Sequence, residues 1–81
     1  MIELLYFAWV RERIGKDSER IALPAGVTTV AELLGWLAAR GDAVFAETDR
    51  LRVAINQVFA SPDALVAAGD EIAIFPPVTG G

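Results

Sequence analysis

Apolar and polar residues alternate along two stretches of this chain, residues 51–55 and 71–75, and a period of two is typical of β-strands. Residues 2–9 are apolar with a single exception, and their length and aromatic content favour a central strand over a helix. Shorter strands are predicted at residues 19–23 and 58–59. The pattern therefore predicts a sheet of about four to five strands.

One longer helix is predicted in the middle of the chain. Thr29 and Glu32 have the spacing of a capping box, in which each side chain bonds a backbone amide at the start of a helix. Gly41 follows as a stop signal, and shorter helical turns are predicted at residues 10–14 and 42–48. The longer helix carries one apolar stripe, formed by Val30, Leu33, Leu34, Leu37 and Ala38.

The order of these elements predicts a two-layer α+β domain, in which the helix packs across one face of the sheet. The first two strands connect as a hairpin, and the crossover through the helix permits a parallel partner strand. This order resembles the β-grasp, or ubiquitin-like, fold, whose first and last strands are central and parallel. The resemblance implies a mixed sheet with one main helix and short extra helices. The predicted domain covers residues 1–75, and residues 76–81 form an extended C-terminal tail.

The predicted sheet has two apolar faces, because successive side chains of a strand point to opposite sides. A contiguous group of exposed apolar residues is more often an interface than a chance feature, so we interpret the outer face as a partner-binding surface. The alternative is that short helices or loops cover it. The helix-facing residues are Ile2, Leu4, Tyr6, Val53, Ile55, Ile72 and Ile74, and the outer residues are Leu5, Phe7, Ala54, Ala73 and Phe75, with Phe59 extending the outer face.

Composition limits the chemistry. The chain has 81 residues, 54% of them apolar, which is enough for one domain with a core. Its net charge of −4 makes a nucleic acid an unfavourable partner. It has no cysteine or histidine, the usual residues of zinc sites and of acid–base catalysis, so no metal site is predicted. No apolar run approaches the ~18 residues of a membrane helix and no signal-peptide pattern is present, so we expect a cytoplasmic protein.

The sequence ends with FPPVTGG. Proline has no N–H to donate, so Pro76 and Pro77 end the last strand and direct the chain away from the sheet. Gly80 and Gly81 lack Cβ atoms and can enter narrow channels. Fully extended, the tail reaches roughly 20 Å, which suits a carboxylate delivered into another protein's active site. The alternative is an ordinary frayed end.

Three segments carry a family resemblance: FAWVRERIG at 7–15, VAINQ at 53–57 and GDEIAIFPPVTGG at 69–81. They resemble the small subunit of molybdopterin synthase, a ubiquitin-like sulfur carrier, over essentially the whole chain. The resemblance implies that an ATP-dependent adenylyltransferase of the ubiquitin-activating type adenylates Gly81. A sulfur donor would then convert Gly81 into a C-terminal thiocarboxylate. That group would give its sulfur to cyclic pyranopterin monophosphate in the active site of the large subunit.

The resemblance also implies a heterotetramer of two small and two large subunits, acting in molybdenum cofactor biosynthesis. The chain itself would bind no cofactor and catalyse nothing alone, because ATP is used by the activating enzyme. Strand alternation and the resemblance together assign partner contacts to three aromatic residues. The assigned residues are Gly81 as the reacting position, Pro76, Pro77, Val78, Thr79 and Gly80 as the tail, and Phe7, Phe59 and Phe75 as partner-binding contacts.

Other functions share some of these features. The sulfur carrier of thiamine biosynthesis resembles the AINQ and GDE segments and also ends in Gly-Gly. A ubiquitin-like protein modifier uses the same activation chemistry but forms an isopeptide bond with a lysine. A non-catalytic interaction module would be indifferent to loss of Gly81. Independent enzymatic activity is disfavoured, because the hydroxyls and Lys16 have no histidine to act as an activating base.

Overall fold

The computed structural model describes residues 1–77, which contain five β-strands, two α-helices and two short 3₁₀ helices. The strands and helices occur in the order predicted from the sequence, although several of their ends differ. In chain order the elements are β1 (Ile2–Tyr6), α1 (Ala8–Ile14), β2 (Ser18–Ile21), α2 (Val30–Ala39), the 3₁₀ helices Ala43–Ala46 and Thr48–Arg50, β3 (Arg52–Ile55), β4 (Val58–Ala60) and β5 (Glu71–Phe75).

The five strands form one mixed sheet in the order β2-β1-β5-β3-β4. The central strands β1 and β5 are parallel, with Leu4 opposite Ile72, and all other neighbouring strands are antiparallel. Helix α2 connects the β1–β2 hairpin to the second half of the sheet and packs against one face. The predicted α+β class and β-grasp fold, with first and last strands parallel at the centre, are confirmed.

The core lies between α2 and the sheet. Leu33 and Leu37 of the predicted helix stripe are fully buried, and Phe45 of the first 3₁₀ helix packs against Tyr6 with ring centroids 5.9 Å apart. Ile55 is only partly buried, because it lies at the end of β3 beside the turn to β4. The remaining helix-facing residues predicted from alternation are buried: Ile2, Leu4, Tyr6, Val53, Ile72 and Ile74.

The capping box at the start of α2 is formed as predicted. The Thr29 hydroxyl accepts a hydrogen bond from the Glu32 amide at 3.2 Å, and the Glu32 carboxylate accepts one from the Thr29 amide at 3.0 Å. The Glu32 carboxylate also accepts bonds from the hydroxyl and the amide of Thr28. These bonds, led by that from the Thr28 hydroxyl, lower the pKa of Glu32. The first turn of α2 is thus fixed by this local box, and its Val30 and Ala31 amides also donate to the distant carbonyls of Ala64 and Pro62.

The first strand is shorter than the predicted 2–9, since β1 ends at Tyr6 and α1 begins at Ala8. Tyr6 lies opposite Ile74 on the parallel neighbour β5, so the next hydrogen-bonding position falls at Pro76. Proline cannot donate to a ladder. The last bond between these strands runs from the Phe7 amide to the Ile74 carbonyl, at 3.2 Å. The local apolar pattern could not show that the partner strand stops here.

The second strand was predicted at 19–23 but occupies Ser18–Ile21. Ile21 pairs with Ile2, the first residue of β1, so in this register β1 offers Leu23 no partner. Leu23 nevertheless packs against the core as a loop residue. Strand β4 extends one residue beyond the predicted 58–59, because Ala60 still pairs with Val53.

Candidate functional site

Six apolar side chains lie together on the sheet face opposite α2, and we call this surface the docking patch. Five of its members come from β1, β3, β4 and β5, where the strand register places them side by side, and the sixth, Phe7, directly follows β1. Ala73 lies opposite both Leu5 and Ala54, and Ala54 lies opposite Phe59. The docking patch consists of Leu5, Phe7, Ala54, Phe59, Ala73 and Phe75.

The docking patch is open to solvent. Phe59 is 78% exposed and Phe7 is 47% exposed, while Leu5, Ala73 and Phe75 are partly buried. The rings of Phe59 and Phe75 pack against each other at 5.8 Å in a tilted arrangement. The patch is thus a real surface, as the alternation predicted.

The elements that the alternative interpretation placed over this face lie on the other side of the sheet. Val10 of α1 and Phe45 of the first 3₁₀ helix are fully buried in the core with α2. Among the outer residues, Ala54 alone is buried, at 8% exposure, because its small side chain lies between Phe59 and Ala73 in register.

The backbone amide and the backbone carbonyl of Phe7 both form hydrogen bonds. Its amide donates to Ile74, and its carbonyl accepts from the Val10 and Arg11 amides in the first turn of α1. The next residue, Ala8, has a φ of 54°, a left-handed conformation that is uncommon for a residue with a Cβ atom. This abrupt turn from strand to helix leaves Phe7 at the edge of the docking patch. The sequence has no glycine there to signal the turn.

The docking patch borders the start of the predicted tail. Strand β5 ends at Phe75, and Pro76 and Pro77 follow it in irregular, partly buried backbone. A cleft of about 310 Å³ lies beside the packed pair of phenyl rings and is lined by Arg52, Val53, Phe59, Ala60 and Phe75. Of the predicted site residues, Phe7, Phe59, Phe75, Pro76 and Pro77 are therefore close in the fold; Val78, Thr79, Gly80 and Gly81 lie outside the described residues.

The described part of the site is suited to binding. It presents aromatic and aliphatic surface with arginine at its margin, and within residues 1–77 no three acidic side chains come together as a metal site would require. Also within these residues, no helix is long and apolar enough to cross a membrane. Sequence reasoning missed Arg52: alternation places it on the outer face, but nothing local shows that it lines the cleft.

Known proteins are similar to this chain in sequence and in fold. The model of the ThiS family matches residues 4–81. The molybdopterin synthase sulfur carrier subunit of Escherichia coli (strain K12) is 45% identical over 83 aligned positions, which cover 100% of both chains.

Two solved structures extend the comparison. A putative molybdopterin converting factor subunit 1 from Pyrococcus furiosus has a TM-score of 0.78 and 31% identity, covering 95% of this chain and 97% of that chain. The small archaeal modifier protein 1 of Haloferax volcanii has a TM-score of 0.73 and 31% identity, with the same coverage. The chain belongs to the ThiS family and, within it, to the molybdopterin synthase sulfur carrier subunits.

Proposed function

We propose that this chain carries sulfur on Gly81 for molybdopterin synthase. The Gly81 carboxylate attacks the α-phosphate of ATP on an activating enzyme, forming an acyl adenylate and releasing pyrophosphate. A persulfide on the sulfur donor displaces AMP and forms an acyl disulfide. A thiol then reduces the disulfide and leaves the thiocarboxylate. Its sulfur is more nucleophilic than the carboxylate oxygen and attacks a carbon of cyclic pyranopterin monophosphate, where it displaces an oxygen. Water then cleaves the resulting thioester, which leaves the sulfur on the pterin and restores the Gly81 carboxylate.

One observation of the structure supports this function above the others. Strand β5 places Phe75 in the docking patch and continues directly into Pro76 and Pro77, so the surface and the tail share one strand end. A partner that covers Phe59 and Phe75 is therefore positioned to enclose the residues that follow. The full-length alignment with the E. coli sulfur carrier subunit supports placing the reacting group at Gly81.

In this proposal, partner proteins supply the substrate site, the ATP-binding site and the sulfur. The large subunit of the synthase holds the pterin substrate, with two small and two large subunits in the complex. An adenylyltransferase of the ubiquitin-activating type binds ATP, and a separate donor provides sulfur. The chain binds no cofactor of its own, is not catalytic alone and works in the cytoplasm. The similarity to the E. coli protein, a subunit of molybdopterin synthase, supports the first of these partners.

A second candidate, protein modification, is favoured by one finding. The small archaeal modifier protein 1 of Haloferax volcanii shares this fold at 31% identity. In that role the acyl adenylate would be attacked by a lysine amine of a target, which releases AMP and leaves an isopeptide bond. Conjugates that survive denaturing electrophoresis would identify a modifier. A carrier for thiamine biosynthesis would load sulfur in the same way but deliver it to a different partner.

Sulfur loading tests the proposal directly. The chain is incubated with its activating enzyme, ATP and a sulfur donor, and intact mass spectrometry measures replacement of one oxygen by sulfur. We expect loading of the natural chain and none of a variant with one alanine appended after Gly81, because the reacting carboxylate is displaced. The two proteins should unfold at the same temperature. Equal loading of the extended variant would contradict the proposal.

A further inference from the structure

Two arginines on the outer face of the sheet differ from every other cation of the chain. The chain has seven lysines and arginines in total. Within residues 1–77, Arg20 and Arg52 form no ion pair. The others pair with carboxylates: Arg11 with Asp17, Arg13 and Arg50 with Glu47, Lys16 with Glu19, and Arg40 with Glu19 and Asp42.

The two arginines have different neighbours. Arg20 lies opposite Glu3 across β1 and β2, so a carboxylate is its cross-strand neighbour on the same face. Arg52 lies opposite Phe75 across β3 and β5, and it lines the cleft with Phe59. Arg52 therefore has no carboxylate as its cross-strand neighbour, in a chain with an excess of carboxylates.

The guanidinium of Arg52 is already oriented. One terminal nitrogen, Nη1, donates to the Leu51 carbonyl at 2.8 Å and to the Asp49 carbonyl at 3.3 Å. The donors on Nε and Nη2 make no hydrogen bond within the described residues, and the side chain is exposed. Because Nη1 is already hydrogen-bonded, the guanidinium loses little conformational freedom when a carboxylate binds the donors on Nε and Nη2.

We propose that Arg52 is a specificity-determining residue of the docking patch, which pairs with a carboxylate on the synthase large subunit. An apolar side chain next to that carboxylate occupies the cleft of about 310 Å³ that Arg52 lines together with Phe59 and Phe75. The pairing deepens the docking proposed above and presupposes it. Because the arginine faces the apolar cleft, the ion pair becomes shielded from water when the partner binds, which strengthens it and penalises a partner without the acid.

Binding to the purified large subunit from the same organism tests this role. Isothermal titration measures the dissociation constant at low and at moderate salt for four variants. We expect Arg52→Gln to bind about threefold more weakly and with less salt dependence, and Arg52→Glu about tenfold more weakly. Arg52→Lys keeps the charge and should lose less than Arg52→Gln. Arg20→Gln is the matched control on the same face and should bind like the natural chain.

A fifth variant separates the two proposals. Phe59→Ala removes an aromatic side chain of the docking patch without touching any charge. If Phe59→Ala weakens binding but Arg52→Glu does not, the role of Arg52 is overturned while the docking patch stands. If neither variant changes the dissociation constant, the docking patch itself is wrong. Rescue of Arg52→Glu by an acidic-to-lysine change on the large subunit would identify the paired carboxylate. Thermal unfolding of each variant confirms that it is folded.

Discussion

The carboxylate of Glu19 in β2 connects β1 to the end of α2. It accepts a hydrogen bond from the Tyr6 hydroxyl at 2.6 Å and two from the Arg40 guanidinium at 3.0 and 2.9 Å. The bonds from Arg40 are the main reason that the pKa of Glu19 falls to about 2, against the opposing effect of burial. Burial raises the pKa of Tyr6 well above its usual range. Glu19 thus ties β2 to the core and to the end of α2.

The ionised form of Glu19 should stabilise the fold in a defined pH range. Its pKa is lowered on folding from 4.5 to about 2, so its contribution is complete above pH 4.5 and is lost as the pH falls towards 2. We expect Glu19→Gln to lower the free energy of unfolding by about 2 kcal/mol at pH 7 and by less at pH 3. Urea unfolding at both values measures this.

The exposed Glu12 provides the control for that experiment. Glu12→Gln should leave the free energy of unfolding unchanged at pH 7, because Glu12 forms no ion pair within the described residues. A Glu19→Gln protein as stable as the natural chain at pH 7 would show that the network with Arg40 contributes nothing to folding.

At the scale of elements, some helix and turn positions are fixed by residues close in sequence and others by contacts with distant strands. Helix α2 begins where its capping box predicted, because both partners of the box lie within one turn. The turn between β3 and β4 uses Asn56 and Gln57 at φ values of 50° and 73°. The Asn56 side chain secures it by accepting from the Glu71 amide at 2.9 Å and donating to Asp70 at 3.0 Å. These last contacts join segments that are distant in sequence.

The capping box makes a prediction for α2. Thr29→Ala removes the acceptor for the Glu32 amide, and we expect the free energy of unfolding to fall by about 1 kcal/mol. Urea unfolding at pH 7 measures the change. Thr48→Ala is the control, because Thr48 is exposed and caps no α-helix. Equal stability of the two variants would mean that the cap is not what stabilises this end of α2.

The two faces of the sheet give the whole molecule a core on one side and the proposed binding surface on the other. One face forms the core with α2, and the other carries the docking patch beside the end of β5. Residues of the outer face that are largely exposed add little to the core. Charges introduced there should therefore act on the partner rather than on folding.

Two neighbouring residues of β4 test that separation. Phe59→Arg should weaken binding of the large subunit at least tenfold, because it places a charge in the apolar patch. Val58→Arg should leave binding unchanged, since Val58 is 68% exposed but points to the opposite side of the strand. Both proteins should keep the natural circular dichroism spectrum. An unfolded Phe59→Arg protein, or equal binding by both variants, would contradict the assignment.

Much of the fold and of the docking patch could be predicted from the sequence. Alternation in 51–55 and 71–75 is a local property, and it identified both faces, including the exposure of Phe59. Identifying the fold family also required the resemblance to the β-grasp, because alternation does not show which strands are neighbours. The end of β1 could not be predicted, since it depends on Pro76 in a strand that is far along the chain.

The sequence by itself therefore determined the elements, their buried sides and the chemistry that the chain lacks, because these follow from neighbours within a few residues. The tertiary structure decided which distant groups meet. Glu19 acquires its low pKa only when β2 and the end of α2 come together, and Arg52 faces Phe75 where Arg20 faces Glu3 because different strands lie opposite them. Ion pairs, clefts and strand ends depend on partners across the sheet, which no local pattern specifies.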